Sequence, residues 1–206
     1  MILWTINRYE VWEIFQYEAV FRADPVYVDE WFRYPYSWYI RQMEKAIPRL
    51  PGAQTPIWAW CQYRGNKQPC PDLRHIRAGF PDGETGVRIA LDVPDELVLL
   101  SDFEMWHYPL NWWYLPRSEE DEKLFEKELV AQGLSLPLPE DLPSPLRARM
   151  EKSWENIFDL AFYWEELNRP REEKSIQATL WEIRLEWVTK LEIFTSNGKV
   201  YKNRLG

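Results

Sequence analysis

Apolar residues recur at helical spacing in Tyr36, Tyr39, Ile40, Met43 and Ile47, while Arg41, Gln42, Glu44 and Lys45 cover the other side. This pattern predicts an amphipathic helix over Tyr36–Ile47, stopped by Pro48 and Pro51. Val11, Ile14, Phe15 and Ala19 predict an earlier helix that runs toward Phe21–Pro25, where the proline disfavours continuation. Trp154, Ile157, Phe158, Ala161 and Trp164 would share one face of a helix over Ser153–Leu167. Shorter β-favouring runs lie between these segments, at Leu3–Ile6, Ile57–Tyr63, Val87–Val93, Val98–Ser101, Ile176–Ile183 and Leu191–Phe194. Along Ile57–Tyr63, Ile57, Ala59 and Cys61 alternate with Trp58, Trp60 and Gln62, so both faces carry apolar groups and an interior strand is expected.

Strands near both ends and in the middle, with helices between them, predict a single α+β domain across residues 1–206. Its sheet is expected to be mixed or split antiparallel. Asp102 is an N-cap residue type placed to open a helix toward Leu110. Residues 64–86 form the longest irregular connection, and loops of that length are often functional. A proline-rich connection at about 134–145 links two helices.

Thirteen tryptophans in 206 residues change this picture, because an indole suits both a core and an aromatic-walled pocket. Trp58, Trp60 and Trp106 are the candidates for pocket walls. Only two cysteines occur, and neither a Cys-x-x-Cys knuckle nor a His-x-x-x-His pair is present, so no metal site is expected. No apolar run approaches the roughly 18 residues of a membrane span, and a cytoplasmic protein is expected. The net charge of −8 argues against an extended duplex-DNA interface, yet Arg64, Lys67, Arg74, His75 and Arg77 form a local basic cluster compatible with a nucleotide.

The words Leu3-Trp4-Thr5-Ile6, Pro56-Ile57-Trp58-Ala59-Trp60, Pro71-Asp72-Leu73-Arg74, Val98–Phe103 with Trp106-His107-Tyr108, and Ser175–Glu182 together resemble a bacterial family known only as a domain of unknown function. A fainter resemblance lies in the order of elements: a short first strand ending in a polar residue, an early helix, a Trp-bearing strand and a late Gln-Ala-x-Leu strand followed by Leu185–Val188 and Leu191–Phe194. That order is similar to the ADP-ribosyltransferase superfamily. The resemblance implies NAD as a substrate bound between two small sheets. It also implies a late-strand glutamate that stabilises the oxocarbenium-like transition state by preorganised electrostatics. The aligned position is Thr179, with Glu182 three residues further on.

Under that reading Glu182 and Gln177 are the catalytic candidates, and Thr5, Arg22, Trp58, Trp60, Gln62, Trp106, His107 and Thr179 are the ligand-binding ones. Arg22 would hold a phosphate bidentately. The plainer reading makes Glu182 a strand-end carboxylate bonded to Arg184, Asp102 a helix cap and most indoles core. The leading expectation is therefore a nucleotide-handling enzyme acting on NAD or a nucleic-acid end. A non-catalytic aromatic-pocket module for a nucleotide, nucleic acid or peptide and a structural or assembly protein stand beside it.

Overall fold

The computed structural model describes residues 1–135, 142–196 and 200–203. In chain order these comprise β1 (Ile2–Arg8), α1 (Tyr9–Glu18), β2 (Val20–Phe21), α2 (Arg33–Ala46), β3 (Ile57–Gln62), α3 (Leu73–Ile76), β4 (Thr85–Asp92), β5 (Leu99–Asp102), α4 (Phe103–Leu110), α5 (Glu119–Ala131), α6 (Ser144–Trp154), β6 (Ile176–Leu180), β7 (Ile183–Arg184), β8 (Val188–Thr195) and β9 (Val200–Asn203). Seven strands form one sheet in the order β5-β6-β3-β1-β4-β8-β9, and every neighbouring pair is antiparallel. β2 and β7 pair separately. The α+β expectation holds, and of the mixed or split antiparallel alternatives the sheet is the antiparallel one, with a separate two-stranded piece.

The sheet narrows at one junction. β1 matches β4 along its whole length, but its register with β3 consists of the single pair Trp4 and Trp60. Thr5, buried on β1, donates its hydroxyl to the Trp58 carbonyl at 3.3 Å and accepts from Asn7 Nδ2 at 3.1 Å. A side chain thus supplies cohesion where the backbone ladder is short.

Each face of the sheet carries its own core. Leu3, Ala59, Ile89, Ala178 and Leu191 face α1, which contributes Trp12 and Phe15. The opposite face carries Trp58, and the helical layer over it is filled by Trp38, Tyr39, Met105, Trp106, Met150 and Trp154 from α2, α4 and α6. Edge-to-face ring geometry dominates there, as between Trp38 and Trp154 at 5.4 Å and 87°. Burial of such rings in two layers accounts for much of the indole content.

Three sequence expectations change. The first helix ends at Glu18, well before Pro25, because Ala19 adopts a left-handed conformation at φ 59° and hands the chain to β2. The helix expected over Ser153–Leu167 lies further upstream as α6, with Pro145 in its first turn, where a missing N–H breaks no intrahelical bond. Beyond Trp154 a 3₁₀ turn over Glu155–Phe158 follows. Asp159 then accepts from the Phe162 amide and Asn168 from the Trp164 amide, which bends the backbone out of helical register. Ile157 and Phe158 still reach the core. The single strand expected over Ile176–Ile183 is two strands, β6 and β7, because Trp181 turns inward and donates its indole N–H to the Ile47 carbonyl at 3.1 Å. The 134–145 connection lies largely at residues 136–141, outside the described residues, and α6 already begins at Ser144.

Candidate functional site

The sequence candidates separate into three places. Trp58 stacks on Trp106 at 5.3 Å, with Tyr36 and Tyr39 against both rings, and Trp106 is buried. Thr179 joins this group through the Tyr39 hydroxyl at 3.2 Å and donates to the Leu99 carbonyl. Trp60 and Gln177 are cross-strand partners nearby, and the buried Gln177 Oε1 has no hydrogen-bond partner. This aromatic group is packed ring on ring.

Glu182 sits elsewhere. Only 4% exposed, it accepts from Arg22 at 2.5 Å and from Arg184 at 2.8 Å. Two guanidinium groups thus neutralise one buried carboxylate and tie β2 to β7. Gln177 is the second residue of β6, and Glu182 lies beyond the strand's end, past the turn at Trp181. The fold brings Arg22 to Glu182 and leaves Gln177 with Trp60.

The third place was partly legible as the basic cluster. Arg64, Lys67, Arg169, Glu104, Glu172 and Ser175 line a polar cleft of about 580 Å³ together with Gly65 and Asn66. A buried ion pair adjoins the lining in sequence: Lys174 Nζ lies 2.7 Å from Asp102 Oδ2, with each side chain only 1% exposed. Asp102 also caps α4 through the Met105 amide, as expected for this residue type, and Lys174 donates a second bond to the Phe162 carbonyl. The ion pair therefore fixes Glu104, two residues after Asp102, against Ser175, one residue after Lys174.

The other wall is stitched by backbone. Gly65 N–H donates to the Lys174 carbonyl and Asn66 N–H to the Glu172 carbonyl, at 3.2 and 2.8 Å. Gln62 Nε2 adds bonds to the Arg171 and Lys174 carbonyls. Gly65 has φ +71°, and a Cβ there would lie 2.8 Å from the Glu172 carbonyl oxygen, so both conformation and space require glycine. Gln62 thus acts as a brace for the cleft.

Within the cleft the Arg64 guanidinium lies 5.5 Å from the Tyr63 ring centre. Neither Arg64 nor Lys67 ion-pairs with a described residue, whereas Arg169 approaches Glu173 at 3.8 Å. Glu104 is exposed at the cleft. Desolvation raises its pKa, the nearby Asp102 carboxylate adds to the rise, and the Ser175 hydroxyl and the Glu104 amide oppose it. A carboxyl with a raised pKa in the same cleft as unpaired cations is an arrangement suited to proton transfer on an anionic ligand. Of the remaining cluster, Arg74 is engaged by Asp72, Arg77 Nε donates to the Leu73 carbonyl, and His75 is exposed. His107, also exposed, bonds the Phe103 carbonyl through Nδ1 at 3.0 Å.

Glu104, Arg169, Glu172 and Ser175 carried no sequence signal of function. They come from segments separated by more than sixty residues, joined by the β5–β6 ladder, the Phe103 amide to the Ser175 carbonyl and the Asp102–Lys174 pair.

The geometry defines an α+β protein with a seven-stranded antiparallel sheet between a largely aliphatic core and an aromatic one, and a polar cleft at the start of α4. The chain belongs to the family described as domain of unknown function DUF3841, whose model matches residues 2–189. Comparison with curated proteins and with solved structures finds no match. Among the described residues, no helix is long and apolar enough to cross a membrane.

Proposed function

We propose that this protein handles a nucleotide or a similar phosphate-bearing small molecule in the polar cleft, with Glu104 as the proton-transferring group. The observation that carries the reading is the convergence of unpaired Arg64 and Lys67 with a Glu104 carboxyl whose pKa is raised. Arg64 and Lys67 would hold phosphate oxygens, the guanidinium by bidentate bonds and the ammonium as a point charge. Asn66, Ser175 and Glu172 supply the hydrogen-bonding variety that sugar hydroxyls and base edges require. The cleft volume of about 580 Å³ falls in the range of small-molecule sites.

The resemblance to ADP-ribosyltransferases makes NAD the first nucleotide to test. Calorimetric titration with NAD, ATP and the nucleoside adenosine should show binding of the phosphorylated ligands. Arg64→Ala and Lys67→Ala should each weaken it roughly tenfold. Absence of binding at millimolar nucleotide overturns the reading. If NAD is turned over, nicotinamide release lost in Glu104→Gln assigns the chemistry to the cleft. Loss in Glu182→Gln at an unchanged melting temperature assigns it to the Arg22–Glu182–Arg184 group instead. Nucleotide binding without turnover makes the protein a binding module.

A further inference from the structure

A second site stands apart from the nucleotide cleft, where α4 and the following turn meet α5. Trp113, Tyr108, Tyr114 and Phe125 wall a cavity of about 470 Å³ that also exposes Glu122 and Glu126. A second cavity of about 420 Å³ shares Tyr108 and Glu122 with the first and adds Trp164, Glu119 and Glu166. Among the described residues no cation lines either cavity. Glu119 pairs with Lys123, whereas Glu122, Glu126 and Glu166 form no ion pair with a described residue.

The aromatic walls are set before any ligand arrives. Trp112 takes a left-handed φ of 58°, an uncommon conformation for a large side chain, and this turn directs the next residue outward. The Trp113 backbone is fixed at both ends: its amide donates to the Tyr108 carbonyl at 2.9 Å, and its carbonyl accepts from Trp154 Nε1 at 2.7 Å. Its indole nevertheless remains 49% exposed, set edge-on to Tyr108 at 5.8 Å. Tyr114 stacks on Phe125 at 4.0 Å, and the Arg149 guanidinium already lies over both rings from another side. A rigid exposed indole beside unpaired carboxylates favours a positive organic group, which gains ring-face attraction and ion pairing together.

We propose that these joined cavities bind an organic diammonium ligand, with one alkylammonium in each cavity and Glu122 between them. The shared wall argues for two linked charges, because each cavity holds its own aromatic ring and its own unpaired carboxylate.

Calorimetric titration of the full chain with putrescine, neutral butanediol and tetramethylammonium tests this directly. Putrescine should bind, butanediol should not, and tetramethylammonium, which fills one cavity only, should bind more weakly. Glu122→Gln and Trp113→Ala should each weaken putrescine roughly tenfold, with circular dichroism unchanged because both side chains are exposed. Glu104→Gln should leave putrescine binding intact. Failure of putrescine to bind, or an affinity for putrescine unchanged by Glu122→Gln and Trp113→Ala, would each overturn the proposal.

Discussion

The Lys174 ammonium and the Asp102 carboxylate meet 2.7 Å apart, 72 residues apart in the chain, with both side chains sealed from solvent. Removing one partner leaves the other charge buried and uncompensated. Lys174→Met should therefore destabilise the fold by about 3–5 kcal/mol. Lys174→Met combined with Asp102→Asn should recover part of that loss, since asparagine can still cap α4. Urea melts of the two variants check the ordering. The single substitution should also weaken nucleotide binding, because the pair sets the spacing between Glu104 and Ser175.

Thr5 holds the thin β1–β3 junction through its hydroxyl. Thr5→Val keeps the shape but leaves the Trp58 carbonyl and the Asn7 amide short of a partner. A loss of about 1–2 kcal/mol is expected. Thermal unfolding would show it, and native-state hydrogen exchange should rise first in β1 and β3.

Gly65→Ala combines a left-handed backbone with a Cβ only 2.8 Å from the Glu172 carbonyl oxygen. The loop must move away from residues 172–174 to accommodate it. We expect a modest destabilisation of about 1–2 kcal/mol and a larger proportional loss of ligand affinity, measured by calorimetry on the folded variant. Gly52→Ala, at φ +83° but with open space around it, is the control for backbone strain alone.

Glu182 is buried, whereas its partners Arg22 and Arg184 are 40% and 44% exposed. Loss of the carboxylate removes the group that joins both guanidinium groups, whereas loss of one arginine leaves Glu182 with the other. Glu182→Ala should lower the melting temperature more than Arg22→Ala, and a double-mutant cycle should show their coupling.

Alkaline stability follows from three tyrosines. Burial raises Tyr39 to about 12, and burial aided by phenol hydroxyl donation to the Glu151 and Asp121 carboxylates does the same for Tyr34 and Tyr114. Unfolded tyrosines ionise near 10, so above that pH the folded state binds more protons than the unfolded one. Their contribution is intact below pH 10 and declines as pH rises toward about 12. Melting temperatures followed alongside phenolate absorbance should fall through that window. A flat profile would contradict it.

Element positions were legible where local pattern and local chemistry agree. The Tyr36–Ile47 stripe became α2, the two-faced apolar run became interior strand β3, and Asp102 capped α4. The reading lost register after Trp154, where side-chain bonds from Asp159 and Asn168 outweigh an apolar repeat that remains helical on paper. The candidate site was legible only on its basic side. Arg64 and Lys67 lie in the longest irregular segment, but Glu104 had the look of any solvated residue in a first helical turn.

The chain alone determined α2, β3, the α4 cap and the α+β class, because these follow from the spacing of apolar side chains and from capping chemistry between near neighbours. Tertiary structure decided that Glu182 meets Arg22, that the Trp58 and Trp106 rings pack together, and that Glu104 lines one cleft with Arg64 and Lys67. Those are meetings of distant segments, selected by strand order and long-range pairing, and no local pattern encodes which distant group a given side chain will join.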